Sequence, residues 1–272
     1  MTATTEEGGL LSSFIPQVEE VSAFGNQIIQ NEQQFSIDCM SATTCFNGPI
    51  PPFSPYTNVA DIAFNDFALV NQNAFQLNGM CPDASCINLS TNYDVQQFTF
   101  LSNVLQNNNQ QNLGIMGPGA AGNTGYNQAI QFATQFDGIY QSNDQYNAEY
   151  IGSGCFNQAD NLASQGFSTA DIISQSNIQL NGHCLDGSLC QSYAINSASQ
   201  QNTAGNTLSQ QNVQANFECA QGSRCFNTAE NTALFESSAG HTVVQGNVQS
   251  IDGCVDGNSC SNYGGNFVFI RD

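Results

Sequence analysis

The chain has 272 residues, of which 22 are acidic and two basic, Arg224 and Arg271, giving a net charge of −20. Nucleic-acid or anionic-membrane binding needs clustered Lys and Arg, so both partner classes are excluded, and no run of about 18 apolar residues is present to span a bilayer. Asn (34) and Gln (30) are abundant, while hydrophobic residues make up only 40 %, too little for a thick aliphatic interior.

In chain order, residues 1–24 form an acidic tail with an apolar stretch, LLSSFIP. It lacks the basic and continuous apolar regions of a secretory leader, so either a removed leader or another export route is expected. A signature of the form Gln-x-Asn-x-Gln then recurs. Degenerate copies are Gln30, Glu32, Gln34 and Gln72, Ala74, Gln76. The full copies are Gln106, Asn108, Gln110; Gln141, Asn143, Gln145; Gln175, Asn177, Gln179; Gln210, Asn212, Gln214; and Gln245, Asn247, Gln249. The first Gln recurs at intervals of 42, 34, 35, 34, 35 and 35, and the long first step holds a proline-rich insertion, NGPIPPFSP at 47–55. A second signature, Ala-x-Asn-x-Ala, follows the later cysteine loops at Ala159, Asn161, Ala163; Ala194, Asn196, Ala198; and Ala229, Asn231, Ala233.

Both signatures fix every second residue. Period two places the fixed side chains on one face of a strand, whereas on a helix they would scatter around the circumference. Each repeat therefore predicts two strands, and stacking the repeats predicts an all-β solenoid of about seven coils, rising ~4.8 Å per coil. Identical residues then fall in columns. Stacked amides each donate to one neighbour and accept from the other, so Asn and Gln can be buried without a stranded polar group. Ala between them lets two sheets approach. The predicted organisation is a tail at 1–24, a repeat domain at 25–260 and a short terminal strand or cap at 261–272.

Ten of the 11 cysteines form close pairs: Cys39/Cys45, Cys81/Cys86, Cys184/Cys190, Cys219/Cys225 and Cys254/Cys260. Their spacing suits a local disulfide. Zinc ligation is the alternative, but it favours pairs two to four residues apart with a second pair beside them. Disulfides imply an oxidising, extracellular or cell-surface location. Cys155 has no local partner. Asp83, Asp186 and Asp256 recur in the loops and are the one candidate calcium array. Asn88-Leu89-Ser90 is a glycosylation sequon.

Only two histidines, His183 and His241, are present, and the acidic residues are scattered. We therefore assign no catalytic residue, no metal site and no cofactor, and expect a non-enzymatic protein. The segments SQQNVQ at 209–214 and FNTAENTA at 226–233 resemble the curlin repeat of bacterial amyloid fibres. That resemblance implies a secreted, self-assembling fibre whose partners are copies of itself. The other class that fits is a monomeric solenoid adhesin contacting a cell surface, carbohydrate or ice. Outward positions that vary between copies, such as Ser176, Gln211 and Gly246, count against an ice-binding array.

Overall fold

The computed structural model describes residues 17–21, 26–37, 44–47, 58–63, 68–82, 85–97, 101–116, 120–132, 138–151, 154–167, 169, 172–236, 240–254 and 258–271. The described chain is almost entirely strand. The first strands are β1 (Gln17–Val21), β2 (Asn26–Ile37), β3 (Thr44–Asn47), β4 (Asn58–Ala63), β5 (Ala68–Pro82) and β6 (Ser85–Gln97). The middle of the chain forms β7 (Ser102–Met116), β8 (Ala120–Phe132), β9 (Gly138–Ile151), β10 (Gly154–Gly166) and β11 (Ile172–Asn181). The chain continues through β12 (Cys184–Leu185), β13 (Leu189–Gln201), β14 (Thr207–Asn216), β15 (Arg224–Glu236), β16 (Thr242–Ile251) and β17 (Ser259–Arg271).

These strands form two parallel sheets. One runs β1-β4-β6-β8-β10-β13-β15-β17, with β3 also on β6; the other runs β2-β5-β7-β9-β11-β14-β16, with β12 on β9. Apart from β3/β4 and β11/β12, which share a sheet, successive strands of the chain alternate between the sheets, so the fold is a β-solenoid. Register follows the repeat: Gln141 pairs with Gln175, Gln175 with Gln210 and Gln210 with Gln245. Asn161, Asn196 and Asn231 align in the same way.

The regular part amounts to about five turns rather than seven. The count of seven treated both end repeats as full coils. In the first, the insertion breaks the return strand into β3 and β4, both paired with β6. In the last, β16 and β17 have a neighbour on one side only. The last strand, β17, pairs with β15 from Ser259 to Arg271.

The corners between strands use left-handed backbone. Asp186 and Gly187 have φ of 53° and 75°, and Gln221 and Gly222 have 58° and 80°. Two successive positive-φ residues make the tight turn that Asp-Gly favours. Asp186 is thus accounted for as a turn residue. Asp83 and Asp256 lie outside the described residues.

Between the sheets the interior is layered. One margin is apolar: Val104, Ile139, Ile173 and Leu208 pack against Ala129, Ala163, Ala198 and Ala233. The other margin is sulfur-rich, with Cys86, Cys155, Cys184, Cys190, Cys219 and Cys225 clustered around Ala121. Amides fill the space between. Alanine on one sheet leaves room for Val, Ile or Leu from the other, which sets a close sheet spacing.

Candidate functional site

Every interior amide column makes a hydrogen-bonded ladder. In one, Gln245 Nε2 donates to Gln210 Oε1 at 2.7 Å, Gln210 to Gln175 at 2.8 Å, Gln175 to Gln141 at 2.9 Å and Gln141 to Gln106 at 2.9 Å. In a second, Gln249, Gln214, Gln179, Gln145 and Gln110 donate in the same direction over 2.7–2.8 Å. The remaining N–H of each amide reaches a carbonyl of the opposite sheet, as Gln175 does to Ser197 at 3.0 Å. An amide has two donors, and both are therefore engaged without water.

The asparagine columns run the other way. Asn108 donates to Asn143, Asn143 to Asn177, Asn177 to Asn212 and Asn212 to Asn247 at 2.8–3.0 Å. Asn161 donates to Asn196 and Asn196 to Asn231 at 2.9 and 3.0 Å. Facing columns are cross-linked, since Asn161 also donates to Asn177 and Asn177 to Asn196. Glutamine columns thus donate toward the N-terminal end of the solenoid and asparagine columns toward the C-terminal end.

Sequence reasoning missed further ladders. Asn78, Asn112, Asn147, Asn181 and Asn216 form one, and Gln96, Gln131, Gln165 and Gln200 another. They lie two residues beyond the signatures, so extending the period-two count outward would have found them. The sequon asparagine belongs to this interior: Asn88 and Ser90 are buried, and Asn88 donates to Asn112 and Asn123. That burial leaves no room for a glycan.

Cysteine positions stack as Cys45, Cys86, Ala121, Cys155, Cys190, Cys225 and Cys260 in strand register. Cys184–Cys190, Cys219–Cys225 and Cys254–Cys260 are disulfides with Cα separations of 6.3, 6.4 and 6.5 Å. Cys86 is also disulfide-bonded; the side chains of Cys39, Cys45 and Cys81 lie outside the described residues. The sulfur atoms of Cys184, Cys190 and Cys225 lie within 4.8 Å of one another, but all three are oxidised and present no thiolate to a metal. Cys155 is a buried free thiol, and burial pushes its pKa up.

The two histidines are separate. His183 Nδ1 pairs with Glu218 at the surface. His241 stacks on Phe235 with ring centroids 4.6 Å apart, and its burial lowers its pKa. An open groove of about 380 Å³ crosses the outer face of one sheet between Asn73, Asn107, Tyr140 and Ser176.

The two ends of the solenoid differ. At the C-terminal end, β16 and β17 are the last strands of their sheets. Ala233 and Phe235 are 0 % and 1 % exposed, whereas the residues paired with them, Val268 and Ile270, are 47 % and 73 % exposed. Interior columns therefore emerge into solvent beside two unpaired backbone edges. At the other end, among the described residues, β2 is the last strand of its sheet. Glu32 and Gln34 are buried there, and both carboxylate oxygens of Glu32 and the Nε2 of Gln34 lack a hydrogen-bond partner. Burial pushes the Glu32 pKa up to about 8.

No protein-family model, curated protein or solved structure matches this chain.

Proposed function

We propose that the protein is a structural subunit of an extracellular filament or matrix and assembles through its solenoid ends. The observation that carries this reading is the C-terminal end, where Val268, Ile270 and two strand edges lie open. An open edge is a template for another strand, and solenoids that stay monomeric cover it with a polar cap. The disulfides are consistent with an oxidising, extracellular setting. The amide ladders serve as structure: they hold the rod together and give the amides of the signature columns partners inside the regular turns. High negative charge would keep rods soluble and limit sideways sticking.

Electron microscopy of the unreduced protein at several concentrations tests this. Filaments whose length grows with concentration are expected. Isolated short rods at every concentration would overturn the reading in favour of a monomeric surface adhesin.

A further inference from the structure

Column polarity makes the two ends chemically unequal. Because glutamines donate toward the N-terminal end, the last of them, Gln249, donates to Gln214 and to the Tyr263 carbonyl while its Oε1 receives nothing. At the opposite end of that column Gln34 Oε1 accepts from Gln76, and its buried Nε2 has no acceptor. The asparagine column has the reverse need. Asn212 Nδ2 reaches the next member, Asn247; Asn247 Nδ2 donates across to Asn266 Oδ1 and the Gly265 carbonyl, both at 3.0 Å, and has no further member along its own column. The strand register puts Glu32 at the far end of this column, opposite Ala74 and then Asn108. A carboxyl group keeps acceptor capacity whether ionised or protonated, and both Glu32 oxygens are buried without a hydrogen-bond partner.

We propose that copies of this chain join head to tail, with β2 of a second copy adding to β16 in the solenoid's own register and that copy's β1 leaving the edge of β4, where β17 takes its place. This rests on the filament reading. In that register Gln34 of the second copy donates to Gln249 Oε1, and Asn247 Nδ2 donates to Glu32 of the second copy. The free acceptor of Gln249 and the column-end donor of Asn247 meet the two groups at the other end that lack partners. The apolar column continues as well, with Val243 meeting Ile28. Outside, Val244 and Ile29, 58 % and 48 % exposed, come to lie side by side. A one-residue slip would turn every one of these groups to the wrong face, and an inverted copy would set donor against donor. Glu32 and Gln34 are already shielded from water, and the joint supplies the partners they lack. The resulting filament is polar.

The register is tested by cysteine pairs at outward positions of the full chain. Gln33 and Val248 occupy the same outward column, stepping through Phe75, Asn109, Asp144, Ile178 and Val213. The Gln33→Cys/Val248→Cys variant, oxidised during assembly, is expected to give a concentration-dependent ladder of covalent oligomers on a non-reducing denaturing gel. Gln33→Cys/Val244→Cys, four residues out of register, is expected to give none. Circular dichroism of both monomers checks folding, which these exposed substitutions leave intact. Filaments with no ladder, or equal ladders from both variants, would overturn the joint and leave the filament reading standing. If the unmodified chain forms no filaments, both fall.

Discussion

Asn196 Nδ2 donates to Asn231 Oδ1 at 3.0 Å across one turn of the solenoid, joining residues 35 apart in the chain. The same Asn196 amide reaches Asn212 at 2.9 Å in the facing sheet, and its oxygen accepts from Asn161 and Asn177. One side chain therefore ties together three strands of its own sheet and two of the other. The interior is held by such nodes more than by aliphatic bulk.

Replacing that node is expected to be costly. Asn196→Leu removes the donor to Asn231 and the acceptor for Asn161 and Asn177, leaving buried groups unmet at about 1–3 kcal/mol each. The expected loss is about 3 kcal/mol or more in denaturant unfolding. Ser197→Ala, next to it but outward, is expected to change stability by under ~0.5 kcal/mol.

The sheet spacing is tested at Ala198, which is 2 % exposed and packs in the apolar margin. Ala198→Leu forces extra methylenes between two close sheets. Overpacking of this kind typically costs about 1–3 kcal/mol. A fall in thermal midpoint with the strand spectrum retained is the expected result. An unchanged midpoint would show that the sheets separate freely at this level.

Glu32 gives a pH dependence whose sign is fixed by its burial. Its carboxyl has an ordinary value of 4.5 and a folded-state value of about 8. Below about pH 4.5 it is protonated in folded and unfolded chains alike and costs nothing. Between 4.5 and 8 the folded chain keeps a proton that the unfolded chain releases, so stability falls as pH rises, and the penalty is complete above 8. Glu32→Gln is therefore expected to be more stable than the parent at pH 9, by a few kcal/mol at roughly 1.4 kcal/mol per unit. The difference should vanish near pH 4. Urea unfolding across that range measures it.

Much of this was legible in the sequence. The two period-two signatures and the 34–35-residue step placed Gln141, Gln175, Gln210 and Gln245 in one column, because every repeat carries the same residue at the same offset. The edge ladders, such as Gln131 to Gln165, were less visible because Phe235 and Ile270 replace the amide in the last turns. The regular turn count was overstated because repeat counting does not register that β3 and β4 share one neighbour.

Cys155 supplies a further test. It stacks between Ala121 and Cys190 and is 2 % exposed with its thiol pKa raised, a combination that makes a thiol inert. In the native protein a maleimide is expected to leave Cys155 unlabelled, and peptide mapping after unfolding without reductant is expected to find it labelled. Cys155→Ala is expected to cost little, about 1 kcal/mol, since alanine already occupies this column at position 121. Rapid native labelling would show that the sulfur margin opens.

The sequence by itself determined the strands, the coil step, the stacking of like on like and the local cysteine pairs 184/190, 219/225 and 254/260. All of these follow from spacing, because side chains two apart share a strand face and residues one repeat apart share a column. Only the tertiary structure decided the direction in which each amide column donates, the cross-linking of facing Asn columns and the inequality of the two ends. Those depend on which carbonyls of the opposite sheet lie within reach of each amide. Gln175 meets the Ser197 carbonyl and Asn177 meets Asn196 only once the two sheets are set face to face.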